Sequence, residues 1–150
     1  MAEIIYQLEG LEKLDKELKY LQTHAVKVGV LGNGSANGIS VQEYAIFNEY
    51  GTSKMPARPF FRLSVGTANA QNEIKEYMKQ QVEQIIQSGM SAQQAYENLG
   101  TFVVQKIKKT IASGNFAALN PQTVKKKGHS KPLMDTHSLY NSINYEIVGV

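Results

Sequence analysis

From residue 74 to residue 111 apolar side chains return at helical spacing with one interruption, so the chain must adopt a fold that can bury two long helices. Ile74, Met78, Val82, Ile85 and Ile86 make the first stripe, and Ala95, Leu99, Phe102, Val103, Ile107 and Ile111 make the second. Gly89 interrupts them, Ser91 and Gln94 offer a capping pair for the second helix, and Gly114 is placed to end it. At 150 residues and 42% hydrophobic content the chain fits one domain, residues 1–150, large enough for its own core.

The flanking segments predict an α+β fold. Ile4, Tyr6 and Leu8 alternate with Ile5 and Gln7 as a short strand that Gly10 ends. Leu11, Leu14, Leu18 and Leu21 then fall on one face of a surface helix docked by its leucines. Val26, Val28 and Val30 alternate as a second strand, and the Gly, Asn and Ser residues from Gly32 to Gly38 predict a mobile loop. Ser40-Val41-Gln42-Glu43 has the form of a capping box for a helix over about residues 41–50, with Gly51 as its left-handed stop. Asn120 is a cap with Pro121 at the first position of a short helical turn, and the segment from Val124 to Pro132 predicts a mobile lysine loop. Asp135 or Thr136 can cap a short helix carrying Leu139, Tyr140 and Ile143, followed by a strand at Tyr145 and Ile147. The expected architecture is a small, mainly antiparallel sheet packed on two long helices, with mobile loops.

Composition excludes several chemistries. No cysteine is present, so disulfides, thiolate nucleophiles and cysteine-ligated metals are ruled out. No apolar run approaches the ~20 residues of a membrane helix, and Met1-Ala2-Glu3-Ile4-Ile5 lacks the basic start of a signal peptide, so no membrane association is expected. The net charge of +3 is unevenly placed: residues 1–97 carry nine bases and eleven acids, residues 98–134 seven lysines and no acid, and residues 135–150 two acids. That basic block fits either a solvated surface or an acidic partner such as nucleic acid.

Candidate catalytic groups do not assemble into a known pattern. The run from Gly32 to Gly38 lacks the third glycine of a dinucleotide fingerprint, which would stand at Asn37, and the Gly-Lys-Ser/Thr ending of a P-loop. His24, His129 and His137 have no second ligand at metal spacing, and His137 and Ser138 are adjacent, so they point apart on a helix. Glu73 and Glu76 share their helix with Lys75 and Lys79 and read as a solvated face. The expectation is a protein without enzymatic activity and without cofactor or metal. In Met55-Pro56-Ala57-Arg58-Pro59-Phe60 each proline fixes its own φ and restricts the residue before it, so the path is extended and helix resumes only after Pro59. Arg58 can pair with a carboxylate such as Glu49 or with backbone carbonyls, Phe60 pins the segment to the core, and Phe61 and Arg62 can face a partner.

Glu49-Tyr50-Gly51-Thr52, followed by Met55-Pro56-Ala57-Arg58-Pro59-Phe60-Phe61-Arg62, resembles the signature of tailed-bacteriophage neck and tail morphogenesis proteins. This is the group of HK97-type tail components and Mu-type virion-morphogenesis proteins. A second block agrees in the right order: Leu119-Asn120-Pro121-Gln122-Thr123, then Pro132-Leu133-Met134-Asp135-Thr136 and Leu139-Tyr140-Asn141-Ser142-Ile143. The likeness runs from about Val26 to Val148. His137 stands where the family usually has glycine, so the expectation is a plain helix start there, free of the angles only glycine reaches.

The resemblance implies a structural protein of the virion, assembled in the bacterial cytoplasm and placed at the head–tail junction or tail end, where it acts in tail completion or as a connector. It implies self-association into a ring, a hexamer by the family, against neighbouring connector or tail-tube proteins, with DNA in the channel as a further partner. Glu49, Gly51, Pro56, Arg58, Pro59 and Phe60 are then the structural motif. The candidate interface comprises Phe61, Arg62, Gly34 in the glycine loop, and Lys125, Lys126, Lys127 and Lys131. The alternative is a small basic nucleic-acid-binding module using Lys106, Lys108, Lys109 and Lys125 to Lys127.

Overall fold

The structure is a computed structural model that describes residues 2–36, 38–118, 121–128 and 137–150, with the backbone alone for 2–7, 36 and 127. In chain order the elements are α1 (Ala2–Thr23), β1 (His24–Val30), β2 (Ser35–Ala36), β3 (Ile39–Ser40), α2 (Val41–Tyr50), a π-turn (Arg62–Gly66), α3 (Ala68–Ser88), α4 (Ala92–Ser113), α5 (Pro121–Lys127), α6 (Ser138–Ser142) and β4 (Ile143–Gly149). The fold is α+β: β1 and β4 form a two-stranded antiparallel sheet packed on α4, and α3 lies beside α4.

Local signals account for the long helices. Ser91 Oγ accepts from the Gln94 amide at 3.1 Å, and Gly89 and Gly114 end α3 and α4 with φ of 71° and 67°, angles that cost glycine nothing. The core collects Leu99, Val103, Val104, Ile107 and Ile111 of α4 with Val41 and Ala45 of α2, Phe60, and Leu139 and Ile143 near the C-terminus. Gly100 sits inside this stripe because the ring of Tyr145, from β4, lies directly on it; a Cβ there would be 2.4 Å from ring carbons.

Five expectations are corrected. Residues 4–8 are the start of α1, and Gly10 lies within that helix. A period of two over so few residues cannot hold a strand without a neighbour to pair with, whereas the helix satisfies its own backbone. Only Leu14 and Leu21 of the four leucines dock; Leu11 and Leu18 are exposed, as is Leu8. α1 is held as much by polar contacts: Glu17 accepts from the Ala92 amide at 2.6 Å at the start of α4, and the Tyr96 hydroxyl donates to Leu21 O at 2.7 Å. Burial raises the Tyr96 pKa.

The glycine segment is partly paired, since Ser35–Ala36 and Ile39–Ser40 form a small hairpin, with Gly34 O accepting from the Val41 amide at 2.9 Å. Lys125, Lys126 and Lys127 belong to α5 and not to a loop, because Pro121 starts a helix that Thr123 and Val124 half-bury; Lys131 lies outside the described residues. The proposed caps Asn120, Asp135 and Thr136 also lie outside them.

The fifth correction concerns His137, which takes φ 58° and ψ 9°, the left-handed region, and is the one non-glycine residue with positive φ among those described. The angle that glycine would supply is therefore kept, at a conformational cost to histidine. His137→Gly is expected to raise unfolding free energy by up to about 1 kcal/mol, the relief of strain being partly offset by the greater entropy of glycine in the unfolded chain. A lower denaturant midpoint for the variant would contradict it.

Candidate functional site

The segment from Glu49 to Arg62 is built from α2, the proline path and the π-turn. The capping box at Ser40 starts α2: its Oγ accepts from the Glu43 amide at 3.2 Å, and Glu43 Oε2 accepts from the Ser40 amide at 3.1 Å. α2 buries Val41, Ala45, Asn48 and Glu49. Gly51 ends it with φ 76° and ψ 177°, and a Cβ there would stand 2.8 Å from the Ala57 nitrogen, so glycine is required both by angle and by space. Thr52 and Met55 bridge across a tight turn, and Pro56 and Pro59 carry the chain back along α2, where the Arg58 amide donates to Asn48 O at 2.6 Å.

Arg58 is only 4% exposed, and its partners are carbonyls: Nε donates to Ala117 O at 2.9 Å and Nη2 to Ala118 O at 3.2 Å. Burial lowers its pKa, yet a guanidinium remains charged at neutral pH, and the planar fork suits two successive carbonyls. Glu49 pairs instead with Arg62, Nε to Oε1 at 2.8 Å, while the amides of Phe61 and Arg62 donate to Oε2 and Oε1 at 2.9 and 3.1 Å. Arg62 Nη2 also donates to Glu49 O at 2.8 Å. A buried carboxylate thus satisfies two amides that open the helical turn after Pro59, a role for an acceptor with two oxygens.

Phe60 is 2% exposed in the core, edge-on to Phe61 with ring centroids 6.5 Å apart, and Phe61 is half-buried against the same core. The surface beside this lock is apolar. Ile46, Phe47 and Tyr50 on α2 and Leu63 in the π-turn are exposed, and the Arg62 guanidinium lies over the Tyr50 ring at 5.2 Å. Sequence inspection missed buried Asn48, whose Nδ2 donates to Tyr44 O at 2.8 Å, and buried Ser64, which donates to Phe60 O. Asn48 could have been found from its place on the face shared by Val41 and Ala45; nothing local marks Ser64.

The remaining candidates do not converge on this lock. Lys106 is paired with Glu73 and lies over Phe102, Lys108 lies over the Tyr140 ring at 5.1 Å, and Lys125 and Lys126 are exposed on α5. The partner hydrogen bonds hold the exposed Glu73 carboxyl below the usual carboxylate range. Among the described residues no three metal-ligating side chains cluster, and no helix is long and apolar enough to cross a membrane. Compared with models of protein families, with curated proteins and with solved structures, the chain shows no match.

Proposed function

We propose that this protein is a structural component of a tailed-phage or prophage particle, placed at the head–tail junction or tail end and working by ring assembly. The observation that carries this reading is the meeting of the two sequence blocks on which the phage resemblance rests. Arg58 of the first block is anchored on Ala117 and Ala118, immediately before the second block begins. α2 packs on α6, and Phe60 shares one core with Leu139 and Ile143 of the second block. The motif residues thus act on each other as a scaffold lock. The left-handed His137 supports the same reading, since the backbone keeps the angle for which the family uses glycine. The exposed Ile46, Phe47 and Tyr50 beside Arg62 form a surface of the aromatic and arginine kind enriched where proteins meet.

Electron microscopy of particles made without the gene tests the role: filled heads without joined tails, or tails with abnormal ends, are expected, and wild-type particles would overturn it. A narrower prediction concerns α5. Changing Lys125, Lys126 and Lys127 to glutamate is expected to leave the circular dichroism spectrum unchanged and to block particle joining in a salt-sensitive manner, because Lys125 and Lys126 are exposed and exposed charges steer contacts more than they stabilise the fold. Wild-type yield of infectious particles from the triple variant would make these lysines a solvated face only.

A further inference from the structure

Among the described residues the β1–β4 sheet has two edges that no further strand covers, and the outward positions on them follow from the register. Leu31 N donates to Ser142 O at 3.0 Å and Val150 N to Thr23 O at 2.9 Å, just beyond either end of a ladder that pairs His24 with Gly149 and Val30 with Ile143. In an antiparallel pair the bonded positions alternate, so Ala25, Lys27 and Gly29 bond inward to Val148, Glu146 and Asn144. The backbones of Val26 and Val28 on β1, and of Tyr145 and Ile147 on β4, therefore point outward. Among the described residues no third strand joins either edge; the Tyr145 amide is held by Asn144 Oδ1 at 2.8 Å, and the Tyr96 hydroxyl reaches His24 O at 3.2 Å.

We propose that the outer edge of β4 pairs antiparallel with the outer edge of β1 in a second copy, so that the small sheets continue from subunit to subunit. Charge selects this pairing over its alternatives. Lys27 and Glu146 face each other at 2.8 Å on the wet side of the sheet, base on β1 and acid on β4. A β4-to-β1 joint in the same register sets each Glu146 between its own Lys27 and its neighbour's, an alternating row across the sheet. A joint of β4 with β4 brings acid toward acid and leaves every β1 edge open. Head-to-tail pairing of two different edges is the kind of contact that closes rings, and the proposal rests on the self-assembly part of the function proposed above.

The parity of the ladder supplies a selective probe. Ile147→Pro removes an outward amide and leaves every inward bond of β4 in place, while Ile147→Ala controls for the lost side chain. Sedimentation and native mass spectrometry from micromolar to millimolar chain are expected to show the wild type and Ile147→Ala passing from monomer to a closed oligomer, with Ile147→Pro remaining monomeric. In the wild-type oligomer the Val28 and Ile147 amides should exchange at least about tenfold more slowly than in the monomer, a readout that stands even if the proline variant fails to fold. Lys27→Glu and Glu146→Lys should each weaken assembly about tenfold, and an equimolar mixture of the two should restore it. An oligomer whose Ile147 amide exchanges as in the monomer, or assembly of Ile147→Pro like Ile147→Ala, overturns edge pairing and leaves the ring role standing. A wild type monomeric throughout also overturns it. Normal particles without the gene remove the virion role and leave the pairing intact.

Discussion

Replacing Phe60 with alanine is expected to lower unfolding free energy by about 3 to 5 kcal/mol and the melting temperature by on the order of 10 °C. The ring is 2% exposed and packs among core side chains contributed by α2, α4 and the C-terminal segment. Its loss removes both transfer energy and contacts, and the collapse that could refill the space is limited. Pro59 stiffens the backbone on one side, and the bonds from Arg62 and Phe61 to Glu49 hold it on the other. A domain of this kind is stable by only about 5 to 15 kcal/mol, so the variant should lose a large share of its stability. Phe47→Ala is the matched control, since that ring is 41% exposed on α2 and its removal should change stability little. Equal melting temperatures for wild type and Phe60→Ala would show that the proline segment is not anchored by this ring.

Gly100→Ala should destabilise the protein by about 1 to 3 kcal/mol, the reverse of what helix propensity dictates. In an exposed helix interior the same change stabilises by about 1 kcal/mol, because alanine loses less entropy on folding. Here the added carbon would stand 2.4 Å from Cγ and Cδ2 of Tyr145, closer than real contacts come, and Cγ can move only by rotation about χ1 or with the backbone of β4. Either the ring leaves its rotamer or the sheet lifts from α4. A double-mutant cycle separates these effects: with Tyr145→Ala already present, Gly100→Ala should become neutral or stabilising. If it destabilises equally in both backgrounds, the close approach of β4 to α4 is not what requires glycine.

Elements whose signals lie within a few residues were legible from the chain. α3 and α4 follow from their stripes and from Ser91, Gly89 and Gly114 at their ends, each of which acts on a backbone group no more than five residues away; the Thr67 cap that starts α3 was not among the signals read. The capping box at Ser40 and Glu43 is the same kind of local fact, as are the alternating valines of β1. For the site, the buried ring of Phe60 and the use of Arg58 as a clamp could be anticipated, because an arginine between two prolines beside phenylalanines has few other structural uses.

Which carbonyls Arg58 would meet was not legible, since Ala117 and Ala118 carry no side chain that marks them and lie far along the chain. Glu49 and Arg62 found each other for a comparable reason: the π-turn after Pro59 presents two amides and a guanidinium to one carboxylate, a geometry no spacing encodes. Residues 4–8 show the converse, a weak local alternation overruled, with no strand beside it among the described residues to complete it. For α2 and α4 the sequence by itself determined the ends of the helix, through interactions within a turn or two. Only the tertiary structure decided the partners of Arg58 and Glu49 and the glycine at position 100, because each depends on groups brought together by packing across the chain.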